Sequence, residues 1–182
     1  MRRFIQTVFA LICLACLAPG LASARDFDST TKAQLNTKVD AALANLYASV
    51  PGSQDVTSRA KGVLVFPRSG FMVGGQHGGG ALRVDGQNVG YYYSDRMTYD
   101  VRPGSREHSV AIAFMTQDAL QRFQAGDSWD VGADPSVAVV TAGAGGKVDA
   151  SQLDKPVQIF VFGDNGLMGP VVLQGAKVTK VG

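Results

Sequence analysis

From Gly62 to Val181 the hydrophobicity repeats every two residues, and this period most narrowly limits what the chain can become. GVLVF, GFMVGGQ, GGALRV, NVGYYY, HSVAIAFM, WDVGA, SVAVV, VQIFVF and VVLQGAKVTKV all read as strands. Asp85-Gly86 and Asn165-Gly166 sit between such runs, and both pairs tolerate the positive φ of a two-residue hairpin. Short spacings favour antiparallel meanders over crossover units, which need a dozen or more residues. One helix interrupts the strands: Thr116 caps QDALQRFQ, with Leu120 and Phe123 facing inward.

A second helix is expected ahead of the strands, over about residues 29–50, capped by Asp28 or Ser29 and ended by Pro51-Gly52. Leu35, Val39, Ala42, Leu43, Leu46 and Val50 fall on one side of it at about 100° per residue. Its polar side carries Lys38 and Asp40, with Lys32 near the edge of the stripe, too few cations for a helix lying on an anionic membrane. The stripe is therefore expected to pack on the domain's own sheet. SQDVTSRAK adds a short helix after it.

GFMVGGQHGGGALRVDG, residues 70–86, has glycine at seven of seventeen positions. Dense glycine suggests a phosphate cradle, but the spacing rejects it. From Gly78 a dinucleotide fingerprint reaches Gly80 and then meets Arg83; Gly74 and Gly79 have the P-loop gap, but Gly80 and Ala81 stand where Lys and Ser/Thr belong. A hairpin follows instead of the helix whose N-terminus would meet the phosphate. Gly74, Gly78 and Gly80 share one face of a strand, while Gly75 and Gly79 share the other. Missing side chains on both faces permit coiling and close backbone approach. The expected fold is mainly β (α+β). It is a curved antiparallel sheet, barrel-like or sandwich-like, with an N-terminal amphipathic helix and one internal helix.

The first residues read as an export signal: a basic MRR, an apolar run from Val8 to Leu17, Pro19-Gly20, and Ala22-Ser23-Ala24 as the cleavage site. The apolar run is about half the ~20 residues a membrane span needs. Cleavage after Ala24 leaves residues 25–182 as one domain in the periplasm or associated with the outer membrane. A competing cut before Cys16 would leave a lipid-anchored form, although Cys13 occupies the position where that motif wants an aliphatic residue. The signal carries both cysteines, so the domain relies on its core rather than on disulfides. It also carries Arg2 and Arg3 and no acid; the chain has 17 basic and 15 acidic residues, so the remainder is neutral. A neutral domain is not expected to bind nucleic acid.

Enzyme chemistry finds little to work with. Ser69, Ser105 and Ser136 lack the flanking glycines of a nucleophile elbow. His77 and His108 are the only histidines and lack the spacing of a metal-binding helix, and Glu107 is the only glutamate. No catalytic residue, metal ligand or cofactor site is expected.

AKGVLVFP followed by GFMVGGQHGGGALRV resembles the SYLF-domain family. The likeness continues in order through VGYYY, AIAFMTQDALQRF, WDVGADPSVAV and VFGDNGLMGPVVLQGAKVTKV, from about Ala60 to Val181. The resemblance implies a lipid-binding module without catalytic activity, its partner here an anionic phospholipid at a membrane surface of the bacterial envelope. It also offers Leu35, Val39, Leu43 and Leu46 a membrane-facing role in place of a core-facing one. The chain departs from the family pattern in SDRMTYDVRPGSREHS, residues 94–109. Arg96, Arg102 and Arg106 in that segment, with Lys61 at the helix–strand junction, are the expected lipid-binding residues, since a guanidinium fork suits a phosphodiester. The alternative is a structural or protein-interaction module of the envelope, with YYYSDRMTY as its contact surface.

Overall fold

A computed structural model describes residues 29–67, 77–95, 108–141, 148, 153–167 and 176–181. The signal and Cys16, Gly74, Gly75, the strand GFMVGGQ and the three arginines Arg96, Arg102 and Arg106 lie outside the described residues. Strands dominate, and they curl into an open half-barrel of mostly antiparallel pairing, with a helix in front.

Among the described residues, helix α1 (Ser29–Ser49) and the short α2 (Ser53–Arg59) precede nine strands. These are β1 (Gly62–Phe66), β2 (His77–Val84), β3 (Gln87–Asp95), β4 (Ser109–Phe114), β5 (Ser128–Asp130), β6 (Val137–Val140), β7 (Val157–Gly163), β8 (Gly166–Leu167) and β9 (Lys177–Lys180). Helix α3 (Gln117–Ala125) lies between β4 and β5. The strand order is β5-β9-β3-β2-β1-β4-β7-β6, with β8 folded back on β7.

The central strands are buried on both faces, which explains why SVAIAF and VQIFVF read as apolar runs. One face carries large side chains: Leu64, Phe66, Leu82, Ile112, Phe114 and Ile159 pack with Leu120 and Phe123 of α3. The other face carries Val65, Ala81, Ala111 and Ala113 on its central strands with Phe160 and Phe162 beside them on β7, and α1 lies there with Leu35, Val39, Leu43 and Leu46 buried. Small residues under a helix let its backbone come close, so the alternation of Ala with Ile and Phe in β4 is a record of which face each layer covers.

Polar contacts pin α1 along its length. Tyr91 donates its hydroxyl to Asn36 Oδ1 (3.2 Å), Arg83 pairs with Asp40, and Asn45 Nδ2 donates to Asp164 Oδ1 (3.0 Å). Gly52, in the left-handed region at φ 89°, turns the chain from α1 into α2, and the Ser53 hydroxyl donates to the carbonyl of Leu46. At the start of α3 the Thr116 hydroxyl accepts from the Ala119 N–H at 3.2 Å, as the sequence predicts.

Three local expectations need correction. β6 runs parallel to β7, because the connection from Val140 to Val157 is long enough for a crossover. WDVGA is a strand only to Asp130, whose carboxylate accepts from the N–H groups of Gly132 and Ala133 and winds Val131–Ala133 into a 3-10 turn. The second hairpin turns on Asp164 and Asn165, with Gly166 (φ 99°) opening β8, one residue earlier than the Asn-Gly signal suggests. Of VVLQGAKVTKV, residues 171–175 lie outside the described residues, and Lys177–Lys180 form the expected strand. At the other hairpin both Asp85 and Gly86 have positive φ, as its two-residue turn requires.

Candidate functional site

A cleft of about 370 Å³ opens where α3, β5 and the turn before β6 meet the end of the sheet. Phe114, Phe123, Trp129 and Val157 form its apolar wall, and Arg122, Ser128, Asp134 and Ser136 supply its polar groups. Phe123 stacks on Phe114 at 4.8 Å between ring centroids and meets the edge of Trp129 at 5.4 Å. Tyr92 continues the cluster from the sheet, 4.8 Å from Phe123, and burial pushes its phenol up. Such aromatic pairs hold one another in offset or edge-on geometry and leave the wall stiff.

The turn ADPS is built around one carboxylate. Asp134 Oδ1 accepts from both the N–H and the hydroxyl of Ser136 (2.8 and 2.6 Å), and Oδ2 accepts from the Trp129 indole (2.9 Å). Partial burial on its own raises the Asp134 carboxyl. The Ser136 hydroxyl and N–H, the Trp129 indole and the charge of Arg122 together outweigh burial and hold the carboxyl below its ordinary value. Asp134 is thus ionised near neutral pH with its acceptor sites engaged. That fits a residue that orients Trp129, and it fits a general acid poorly.

Of the cationic residues expected to meet lipid, Lys61 alone is among the described residues; Arg96, Arg102 and Arg106 lie outside them. Lys61 is exposed, and its N–H donates to the Phe114 carbonyl at 2.8 Å, at the end of the sheet where the cleft opens. Leu35, Val39, Leu43 and Leu46 are spent on the sheet. The sequence reading missed Arg122 and Trp129. Its one available signal was the pairing of an aromatic with Asp134 in WDVGADPS, five residues apart, which the strand assignment hid.

Among the described residues no three His, Cys, Asp or Glu side chains converge on a metal site, and no helix is long and apolar enough to cross a membrane. Neither a scan against protein-family models nor a search of curated proteins finds a match to this chain.

Proposed function

We propose that this protein is a non-enzymatic lipid-binding module of the bacterial cell envelope that engages anionic phospholipid at a membrane surface. One observation carries the reading: the Trp129 cleft joins a stiff aromatic wall to the exposed guanidinium of Arg122, a composition suited to an amphiphile. The order of SYLF-like segments along the chain supports it from the sequence side. The saturated state of Asp134 supports a role in binding over one in proton transfer. Because α1 buries its apolar stripe, contact with lipid falls to the cleft and to the segment bearing Arg96, Arg102 and Arg106.

Co-sedimentation with anionic and zwitterionic vesicles at low and high salt tests the reading. Binding that requires anionic lipid and weakens with salt is the expected result. A triple Arg96, Arg102 and Arg106→Gln variant with unchanged melting should bind more weakly. Failure to sediment with any vesicle would overturn the proposal and leave the structural or protein-interaction role.

A further inference from the structure

We propose that the Trp129 cleft takes one acyl chain as a single molecule, with the chain's anionic head held at the mouth by Arg122 and Lys155. This rests on the lipid-binding reading and narrows it from a membrane surface to a monoacyl anion. The cleft's volume of about 370 Å³ lies near the lower end of the range for small-molecule sites, which suits one chain better than a whole two-chain lipid. Its wall is built from side chains with little to offer but dispersion and ring faces, Phe114, Phe123 and Val157, beside Trp129, whose one polar hydrogen is already given to Asp134. A methylene chain loses no hydrogen bond by lying there.

The mouth supplies the opposite chemistry. The Arg122 side chain is 63 % exposed, and its ion pair is a 3.3 Å contact with Asp118, itself 75 % exposed, one helical turn back. Solvated pairs of this kind exchange partners at little loss, which leaves the planar fork able to turn to a carboxylate or phosphate. Lys155 reaches the carbonyl of Pro135, a residue lining the cleft, at 3.5 Å and brings a second cation to the rim. Asp134 is the opposing charge, but three donors from Trp129 and Ser136 already engage its oxygens. Carboxylate and phosphate monoester heads share the required chemistry, so a fatty acid and a monoacyl glycerophosphate are the two sources to separate.

Trp129 is the sole tryptophan of the chain, so its fluorescence reports the cleft alone. The purified protein is titrated, below micelle formation, with ω-bromoundecanoate, whose bromine quenches indole only on close approach. Saturable quenching at one ligand per chain is expected, reversed by undecanoate or by a monoacyl glycerophosphate. The stronger competitor identifies the head group. Arg122→Gln, at an exposed position, should keep its melting temperature and weaken the acid about tenfold, as loss of a charge-assisted hydrogen bond does. No saturable quenching, equal affinity for ω-bromoundecanol, or an unchanged affinity in Arg122→Gln would each overturn the inference. Anionic-vesicle sedimentation of the same sample separates the two readings. Sedimentation without quenching removes the cleft and leaves the surface function standing, whereas loss of both removes both.

Discussion

Replacing Gly80 with alanine adds one methyl group at a place where the chain has no room for it. The new Cβ would lie 2.5 and 2.6 Å from two ring carbons of Phe66 on the neighbouring strand and 2.8 Å from the carbonyl oxygen of Val65. The oxygen belongs to the backbone of β1. The ring is 3 % exposed and wedged among Leu64, Leu82 and Val110, so neither obstacle withdraws without disturbing its neighbours. Overpacking of this kind costs about 1–3 kcal/mol, while exchanging glycine for alanine in a strand returns about 0.5–1 kcal/mol. The expected net loss is therefore about 0.5–2 kcal/mol. Urea unfolding followed by circular dichroism measures it, with an unchanged m-value showing that the same structure is lost. Phe66→Leu removes the ring edge, so in that background the alanine should cost at least about 0.5 kcal/mol less, a coupling of ordinary size for residues in contact. Equal or greater stability of Gly80→Ala, or strict additivity of the two changes, would refute the close-approach account.

Three further outcomes test other joints of the structure. Leu46→Ala empties a fully buried position between α1 and the sheet and should cost about 2–5 kcal/mol in the same assay, whereas a membrane-facing leucine would change vesicle binding and leave the melt alone. Thr116→Ala removes the cap of α3 and should cost about 0.5–2 kcal/mol, with Thr116→Ser recovering most of it. The Asp134 carboxyl is lowered in the folded protein, so its contribution is fully present above the unfolded value of about 4 and drains away as pH falls through the lower folded value. The stability gap between the parent and Asp134→Asn should accordingly shrink in acid below about pH 4, and a gap constant across that range would refute the charge-based role.

The strand period, both hairpins, the two amphipathic helices and the Thr116 cap were legible because each is a local pattern whose physics is finished within a few residues. The parity of the glycines was legible too, since it separates Gly78 and Gly80 from Gly79 by counting alone. The reason for Gly80 was not: Phe66 stands fourteen positions earlier and meets it through the register of β1 on β2. The parallel placement of β6 was hidden for a related reason. VAVV has the same composition whichever direction its partner runs, and only the length of the following connection separates the two.

The cleft shows a different limit. Asp134 looked like a turn residue and Trp129 like a strand aromatic, and both descriptions are correct as local statements. What they conceal is that Asp130 winds a 3-10 turn between them, which brings the Asp134 carboxylate back onto the indole. Once the indole N–H is satisfied inside the fold, the ring presents carbon to the cleft, and a half-buried tryptophan becomes an apolar wall beside Phe123 and Phe114. The same hydrogen bonds that hold the Asp134 carboxyl below its ordinary value thus shape the apolar wall on which the proposed amphiphile site rests. Asp134→Ala therefore separates a positioning role from a catalytic one. It should loosen the indole, seen as a red-shifted and readily quenched Trp129 emission, and weaken ω-bromoundecanoate while leaving the proposed binding to anionic vesicles in place. An unshifted emission with full acid affinity would show that the wall stands without its carboxylate, and the link drawn from the ADPS turn to the site would fail.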